Sequence, residues 1–280
     1  MNKNSGNHLI CPVCGEGLQK NENTYVCRSN HCYDISKYGY VNLMRSQKSS
    51  KKRHGDDKLM LKSRHDFLEK GYYKPLLDTI TEEVLKKSGG EDITVLDVGC
   101  GEGYYTANIK NSVGKCDVYG IDISKDALIY AAKRDGNMSL AVASCSEIPV
   151  ESGSCDVVLN IFSPTNAAEY SRVLKPDGIL IKAVPLENHL FGLKSNIYEK
   201  PYKNKTENSE LEGFRISEFK EIKYILKLDS GEDIVSLFKM TPYYYKTSRE
   251  DQAKIESKTE LETEIEFGVI VYEKTINEQL

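Results

Sequence analysis

The chain has 280 residues, of which 39% are hydrophobic and 29% charged, so there is apolar material for a sizeable core and disorder of the whole chain is excluded. No apolar run approaches the roughly 18 residues of a membrane helix, and the start, MNKNSGNHLI, lacks the apolar stretch of a secretory signal; a cytoplasmic, reducing home is expected. The net charge of −4 is split: residues 1–65 hold 12 Lys+Arg against 5 Asp+Glu, a net of +7, and the rest hold 26 against 37, a net of −11.

Four of the eight cysteines fall within the first 32 residues. Cys11 and Cys14, then Cys27 and His31, read C-x2-C-x12-C-x3-H. Zinc wants four soft or borderline ligands in a tetrahedron, and a C-x2-C turn sets two thiolates on one side of the ion. Cys27 and His31 close the other side, with Cys32 a rival fourth ligand. Four protein ligands leave no open position, so the zinc is structural. A segment this short cannot build a core of its own, and the metal supplies its folding energy. The other cysteines, Cys100, Cys116, Cys145 and Cys155, read as small buried hydrophobes.

Short strands are expected at 24–26 and 40–43 in a zinc module that ends near residue 45. The run from Lys48 to Asp57 is polar and basic, without apolar periodicity, and reads as a linker suited to phosphate contact. Residues 57–87 carry apolar positions at helical spacing, broken at Gly71 and stopped by Ser88-Gly89-Gly90. From residue 93 strand and helix patterns alternate. Strands are expected at 93–98, 117–121, 139–142, 155–160 and 178–184, and helices at 104–111, 125–134 and 166–174. That alternation implies a parallel α/β sheet with right-handed crossovers. Residues 185–230 look irregular and polar, and 259–273 alternate as a long strand, in a hairpin. The chain thus divides into a zinc module over 1–45, a basic linker with helices over 46–90, and a catalytic domain over 91–280.

Asp97 lies two residues before Gly99, Gly101 and Gly103, where the first long strand gives way to a helix. Glycines there let the chain turn tightly and let a ligand approach without a β-carbon in the way. The spacing is not the G-x-G-x-x-G of dinucleotide-binding sheets. Asp122 ends the next strand at the distance expected of an acid that accepts hydrogen bonds from ribose hydroxyls.

This stretch resembles class I S-adenosylmethionine-dependent methyltransferases, a Rossmann-like fold, over about residues 93–184. The resemblance includes Ser144 to Pro149, where such folds contact adenine, and the turn Leu174-Lys175-Pro176-Asp177-Gly178. It implies that Asn160 to Pro164, at the end of the fourth strand, border the methyl acceptor. The whole order of motifs is narrower still. The zinc knuckle, the basic loop, Phe67 to Leu76, the loop from Gly101 to Thr106, Leu211 to Phe214 and Met240 to Tyr243 resemble the 23S ribosomal RNA guanine-N1-methyltransferases. Membership would make Cys11, Cys14, Cys27 and His31 the zinc ligands. It would put Tyr73, Asp97, Gly99, Gly101, Glu102, Gly103, Tyr104, Asp122 and His189 around S-adenosylmethionine. It also implies an RNA hairpin gripped by the zinc module, a guanine methylated in its loop, and a homodimer as one arrangement. It names no catalytic residue. The family's Tyr-Ala-Pro is Phe162-Ser163-Pro164 here, without the hydroxyl. Two other readings keep the same motifs: a small-molecule methyltransferase with an unrelated zinc knuckle, and a non-catalytic RNA-binding module on a methyltransferase scaffold.

Overall fold

The computed structural model describes residues 7–45, 55, 57–205 and 209–275. Four short strands come first: β1 (Gln19–Asn21), β2 (Thr24–Val26), β3 (Cys32–Asp34) and β4 (Tyr40–Asn42). The basic segment 48–54 expected to touch phosphate lies outside the described residues. Two helices follow, α1 (Lys58–Glu69) and α2 (Lys74–Ser88). Asp57 caps α1 by accepting the Met60 amide, and Gly71 (φ +76°) turns the chain between them. Then come β5 (Ile93–Val98), α3 (Tyr104–Val113), β6 (Cys116–Asp122), α4 (Lys125–Arg134), β7 (Ser139–Val142), β8 (Cys155–Ile161), α5 (Ala167–Val173) and β9 (Leu174–Pro185). The chain closes with α6 (Phe191–Ile197), β10 (Phe214–Leu228), α7 (Gly231–Lys239), α8 (Arg249–Glu256) and β11 (Leu261–Lys274).

One eight-stranded sheet runs β10-β11-β9-β8-β5-β6-β7-β4. Its centre is parallel, and β11 is antiparallel to both β9 and β10. β5 and β8 are buried at every residue, as their unbroken apolar runs demand of central strands. One face of the sheet packs Phe67, Leu76, Ile80, Leu193, Leu237 and Phe238 from the helices. The other face packs Tyr170 and Val173 of α5 beside Leu9, Leu18, Tyr25, Val41 and Leu43 of the zinc-module segment. That segment is therefore built into the catalytic core. Its β4 pairs in parallel with β7, Tyr40 opposite Leu140, and Leu43 donates to the Val142 carbonyl (3.0 Å). No helix among the described residues is long and apolar enough to cross a membrane.

The expected strands and helices between 93 and 184 are present, and 259–273 is a strand paired with β10. The segment 185–230 departs from expectation: it holds α6 and the 15-residue β10. β10 is an edge strand whose two faces both mix polarity. Glu218 and Lys220 turn toward Glu83 and Lys86 of α2, while Phe219 and Ile225 face outward and exposed. Ion pairs on the inner face erased the alternation that marks a strand.

Candidate functional site

At β5 the sheet's connections change direction, with β6 and β7 on one side and β8 and β9 on the other. Crevices form beyond the carboxyl ends of strands at such a point. A cleft of about 860 Å³ lies there. Its floor is the turn out of β5, where Gly99, Gly101 and Gly103 take φ of +83°, +55° and +81°. A β-carbon at Gly99 would lie 2.4 Å from that of Ser163, and one at Gly103 would lie 2.8 Å from that of Ala131. Side chains are thus excluded at both positions, by space and by backbone. At Gly101 the nearest atom to a β-carbon is Nη1 of Arg64, 3.8 Å away. The loop is an open cradle there.

Asp122 ends β6 with its carboxylate folded onto that loop. Oδ2 accepts from the Gly101 amide (2.9 Å) and Oδ1 from the Ser124 amide (2.8 Å), which holds the carboxylate at the cradle, where an acid can accept from a vicinal diol. Asp97 is buried beneath, accepting from Thr106 Oγ1 at 2.6 Å. Burial, with the Asp122 charge adding to it and the Thr106 hydroxyl opposing, pushes the Asp97 carboxyl up to about 7. Two carboxylates against one glycine cradle suit a ligand that carries both a ribose and positive charge.

The wall opposite is aromatic. Tyr73, at the start of α2, packs edge-on against Phe67 (5.3 Å) and Phe267 (4.9 Å), and burial pushes its hydroxyl well above the usual range. His189 packs on Phe267 at 4.6 Å, and its Nδ1 accepts the Glu266 amide (3.3 Å). The ring proton therefore sits on Nε2. Burial, helped by the charge of Lys194, drops the His189 pKa to about 3, so it is a neutral donor and a poor base. Ser144 and Cys145 line the same cleft, as do Met240 to Tyr243.

Two residues at the cleft were not assigned to the cofactor from sequence. Arg64 reaches it from α1 and donates to the Met240 carbonyl (3.4 Å). The Tyr105 hydroxyl is buried there without a hydrogen-bond partner. A buried orphan hydroxyl beside a guanidinium marks a place for an acceptor that arrives with a ligand. Arg64 carried no sequence signal, because a charged residue on a polar helix reads as solvated.

Glu102 borders the cleft, and its Oε2 is engaged by Arg134 of α4 (from Nε, 2.8 Å) and His65 of α1 (3.0 Å), while Oε1 is buried without a hydrogen-bond partner. Arg134 also donates to Glu69 (2.6 Å), so Glu102 latches the glycine loop to both helices. Tyr104 lies under the Arg134 guanidinium, 5.5 Å from it, with its ring wall on the cleft.

In the zinc module, Sγ of Cys14 lies 3.6 Å from Sγ of Cys27, and Nδ1 of His31 lies 3.3 Å from Cys27 and 3.5 Å from Cys11. All four donor atoms fall within 4.8 Å of one another. A tetrahedron with bonds of about 2.0–2.3 Å sets its corners about 3.4–3.8 Å apart, which the three closest donor pairs match, so the set fits zinc. Cys32 is exposed at the start of β3 and stands outside the group, which leaves His31 as the fourth ligand. Burial works to raise the Cys11 thiol, but hydrogen bonds from Tyr33 Oη (3.0 Å) and nearby amides outweigh it and bring it down to about 6. Tyr33 is an outer partner of the kind that orients metal ligands.

Two family profiles match the chain: a methyltransferase domain over residues 95–178, and the RlmA N-terminal zinc ribbon over residues 9–52. YxjB of Bacillus subtilis, provisionally named a 23S rRNA (guanine-N(1)-)-methyltransferase, is 32% identical over 272 residues, 93% of this chain and 95% of its own. The chain belongs to that family. The 23S rRNA (guanine(748)-N(1))-methyltransferase of Streptomyces fradiae is 32% identical over 192 residues, 68% of each chain. Among solved structures, a geranyl diphosphate C-methyltransferase from Streptomyces coelicolor superposes with a TM-score of 0.43 at 15% identity, covering 71% of this chain and 76% of that one. The chain is an S-adenosylmethionine-dependent methyltransferase with a structural zinc ribbon.

Proposed function

We propose that this enzyme methylates N1 of a guanine in a hairpin loop of 23S ribosomal RNA. The observation that carries the reading is the relationship to YxjB, which spans the zinc ribbon and the catalytic domain together. A small-molecule methyltransferase would have no use for a metal module fused to the sheet beside the cleft. A non-catalytic scaffold would have no use for a cradle that still excludes side chains at Gly99 and Gly103.

Each part of the cleft then has a task. Asp122 holds the ribose hydroxyls and the glycine loop gives close approach. Asp97 faces the positive charge of the methionine portion. Arg64 and Tyr105 take its carboxylate, a bidentate acceptor suited to guanidinium. Tyr73 and the Nε2–H of His189 close the wall. S-adenosylmethionine supplies an electrophilic methyl group when bound. The chain's own residues contribute positioning and exclusion of water. His189 cannot take the N1 proton, since Nδ1 is occupied and Nε2 is protonated. A guanine in a hairpin loop is already unpaired or easily unstacked, which suits a cleft at the sheet's centre. The division into a zinc module over 1–45, a linker and helices over 46–90 and a catalytic domain over 91–280 assigns RNA grip to the first part. A ribosomal substrate puts the enzyme in the cytoplasm.

The reading extends to a homodimer. β10 ends the sheet and exposes Phe219 and Ile225 on one face. Antiparallel pairing with a second copy about Ile222 sets Phe219 against Ile225 and Glu221 against Lys223, apolar on apolar and acid on base.

Primer extension on large-subunit RNA treated with the enzyme and S-adenosylmethionine tests the function, because N1 methylation stops the polymerase. Absence of any enzyme-dependent stop at a guanine would refute it.

A further inference from the structure

We propose that Phe162 is the platform on which the acceptor base stacks when it enters the cleft; this rests on the reading of the cleft as an RNA methylation site. β8 is buried from end to end, and the residue that follows it is not. Phe162 is 47% exposed at the cleft and takes a left-handed φ of +54°. For a bulky residue that backbone is strained, and an apolar ring left about half in water gains less from folding than a buried one. Both features persist because the turn is held from all sides. The Phe162 amide donates to the Ala183 carbonyl (3.3 Å), and Ser163 Oγ donates to the Val98 carbonyl (2.5 Å). Asn160 Nδ2 lies 2.6 Å from Ser163 Oγ, 2.8 Å from Tyr170 Oη and 3.2 Å from the Pro164 carbonyl. Ser163 in turn packs so close to Gly99 that no side chain fits between them. The turn that displays Phe162 is thereby registered against the cofactor loop.

The other aromatic residues around the cleft do not offer a surface. Tyr73, Tyr104, Tyr105 and Phe267 are buried, and the Tyr243 hydroxyl is bonded to Asn204 (3.3 Å). Phe162 alone among the described aromatic residues lining the cleft is exposed, with its ring centroid 5.3 Å from that of Phe267 behind it. An exposed aromatic ring backed by a second ring and locked in place is a stacking surface. Because every base has a π-face, such a surface captures an unstacked base without choosing its identity. Selection of guanine is left to polar groups deeper in the cleft.

The test uses the full zinc-loaded chain and an RNA hairpin whose enzyme-dependent stop has been mapped. Phe162→Ala should lose on the order of ten- to a hundred-fold in kcat/KM, the span of one base–aromatic stack, while its Kd for S-adenosylmethionine stays within about twofold. Phe162→Tyr should restore most of the rate. Phe162→Gly separates the platform from a structural part. Glycine relieves the left-handed strain and so offsets the lost contact with Phe267; this variant should melt within a few degrees of the wild type and still lose kcat/KM. An unchanged kcat/KM in Phe162→Ala overturns the proposal, as does a parallel loss of cofactor affinity or a large fall in the melting temperature of Phe162→Gly. If the wild-type enzyme itself produces no stop, the RNA reading fails and the platform with it; if it does and the variants behave like it, the platform alone fails.

Discussion

Asp97→Asn should make the cofactor-free enzyme more stable and leave it unable to hold S-adenosylmethionine. Burial lifts the Asp97 carboxyl from the ordinary 3.8 to about 7. The folded, empty protein therefore binds that proton more tightly than the unfolded chain does. The associated stability is fully present below pH 3.8 and is lost as pH rises through about 7. The gap between those values corresponds to about 4 kcal/mol at about 1.4 kcal/mol per pH unit, an upper bound on what charged Asp97 costs the empty fold at pH 8. Asparagine keeps the shape and can still accept from Thr106. Its new amide needs a partner, which consumes part of the gain. We expect the empty variant to be more stable than the wild type by about 1–3 kcal/mol at pH 8, with a melting temperature higher by several degrees, and the advantage to shrink toward pH 5. Thermal melts across pH and calorimetric titration with S-adenosylmethionine check this. In the wild type, affinity for the cationic cofactor should weaken by up to about tenfold per unit as pH falls below about 7. A variant that binds with wild-type affinity, or whose stability relative to the wild type does not depend on pH, would refute the assignment of Asp97 as a carboxylate held ready for a cation.

Cys14→Ser or chelation should release zinc and lower the melting temperature of the whole chain in one transition, because the ribbon shares the core with Tyr119 and Ile121; two separate transitions would show the ribbon to be thermally independent. Glu102→Gln should destabilise the fold by about 1–3 kcal/mol in urea titration, since it removes the buried one of Arg134's two carboxylate partners and leaves only the more exposed Glu69. A loss below about 1 kcal/mol would contradict the latch. The proposed β10 pairing predicts that the wild type sediments as a dimer, Lys223→Glu as a monomer, and Lys223→Glu with Glu221→Lys as a dimer again; a monomeric wild type or a double variant that stays monomeric would remove the pairing.

The central sheet was legible because its strands carry one unambiguous signal, an apolar run ended by glycine or a capping residue. Asp97, Gly99 and Asp122 were legible for a related reason: strand ends and positive-φ turns restrict residue type tightly. Cys11, Cys14 and Cys27 followed from ligand spacing, whereas the choice of His31 over Cys32 needed the fold that groups the donor atoms. What escaped depends on tertiary pairing. β10 was hidden by Glu218 and Lys220, which point inward to meet α2. The ion pair of Glu102 was hidden too, because its partner Arg134 lies 32 residues away on another helix. The docking of the ribbon was hidden as well, since nothing in Tyr40–Asn42 announces β7 as its neighbour.

That last pairing has a consequence for biosynthesis. Tyr40 lies opposite Leu140, so the ribbon is made about 100 residues before the strand it joins. At about 5–20 residues per second, some 5–20 s pass in which the nascent segment has no sheet to lean on. Only the metal can organise it during that interval, and a bound ion keeps three thiolates from wandering into disulfides. A chain that emerges without zinc would therefore present β7 with an edge and no organised β4 to fill it.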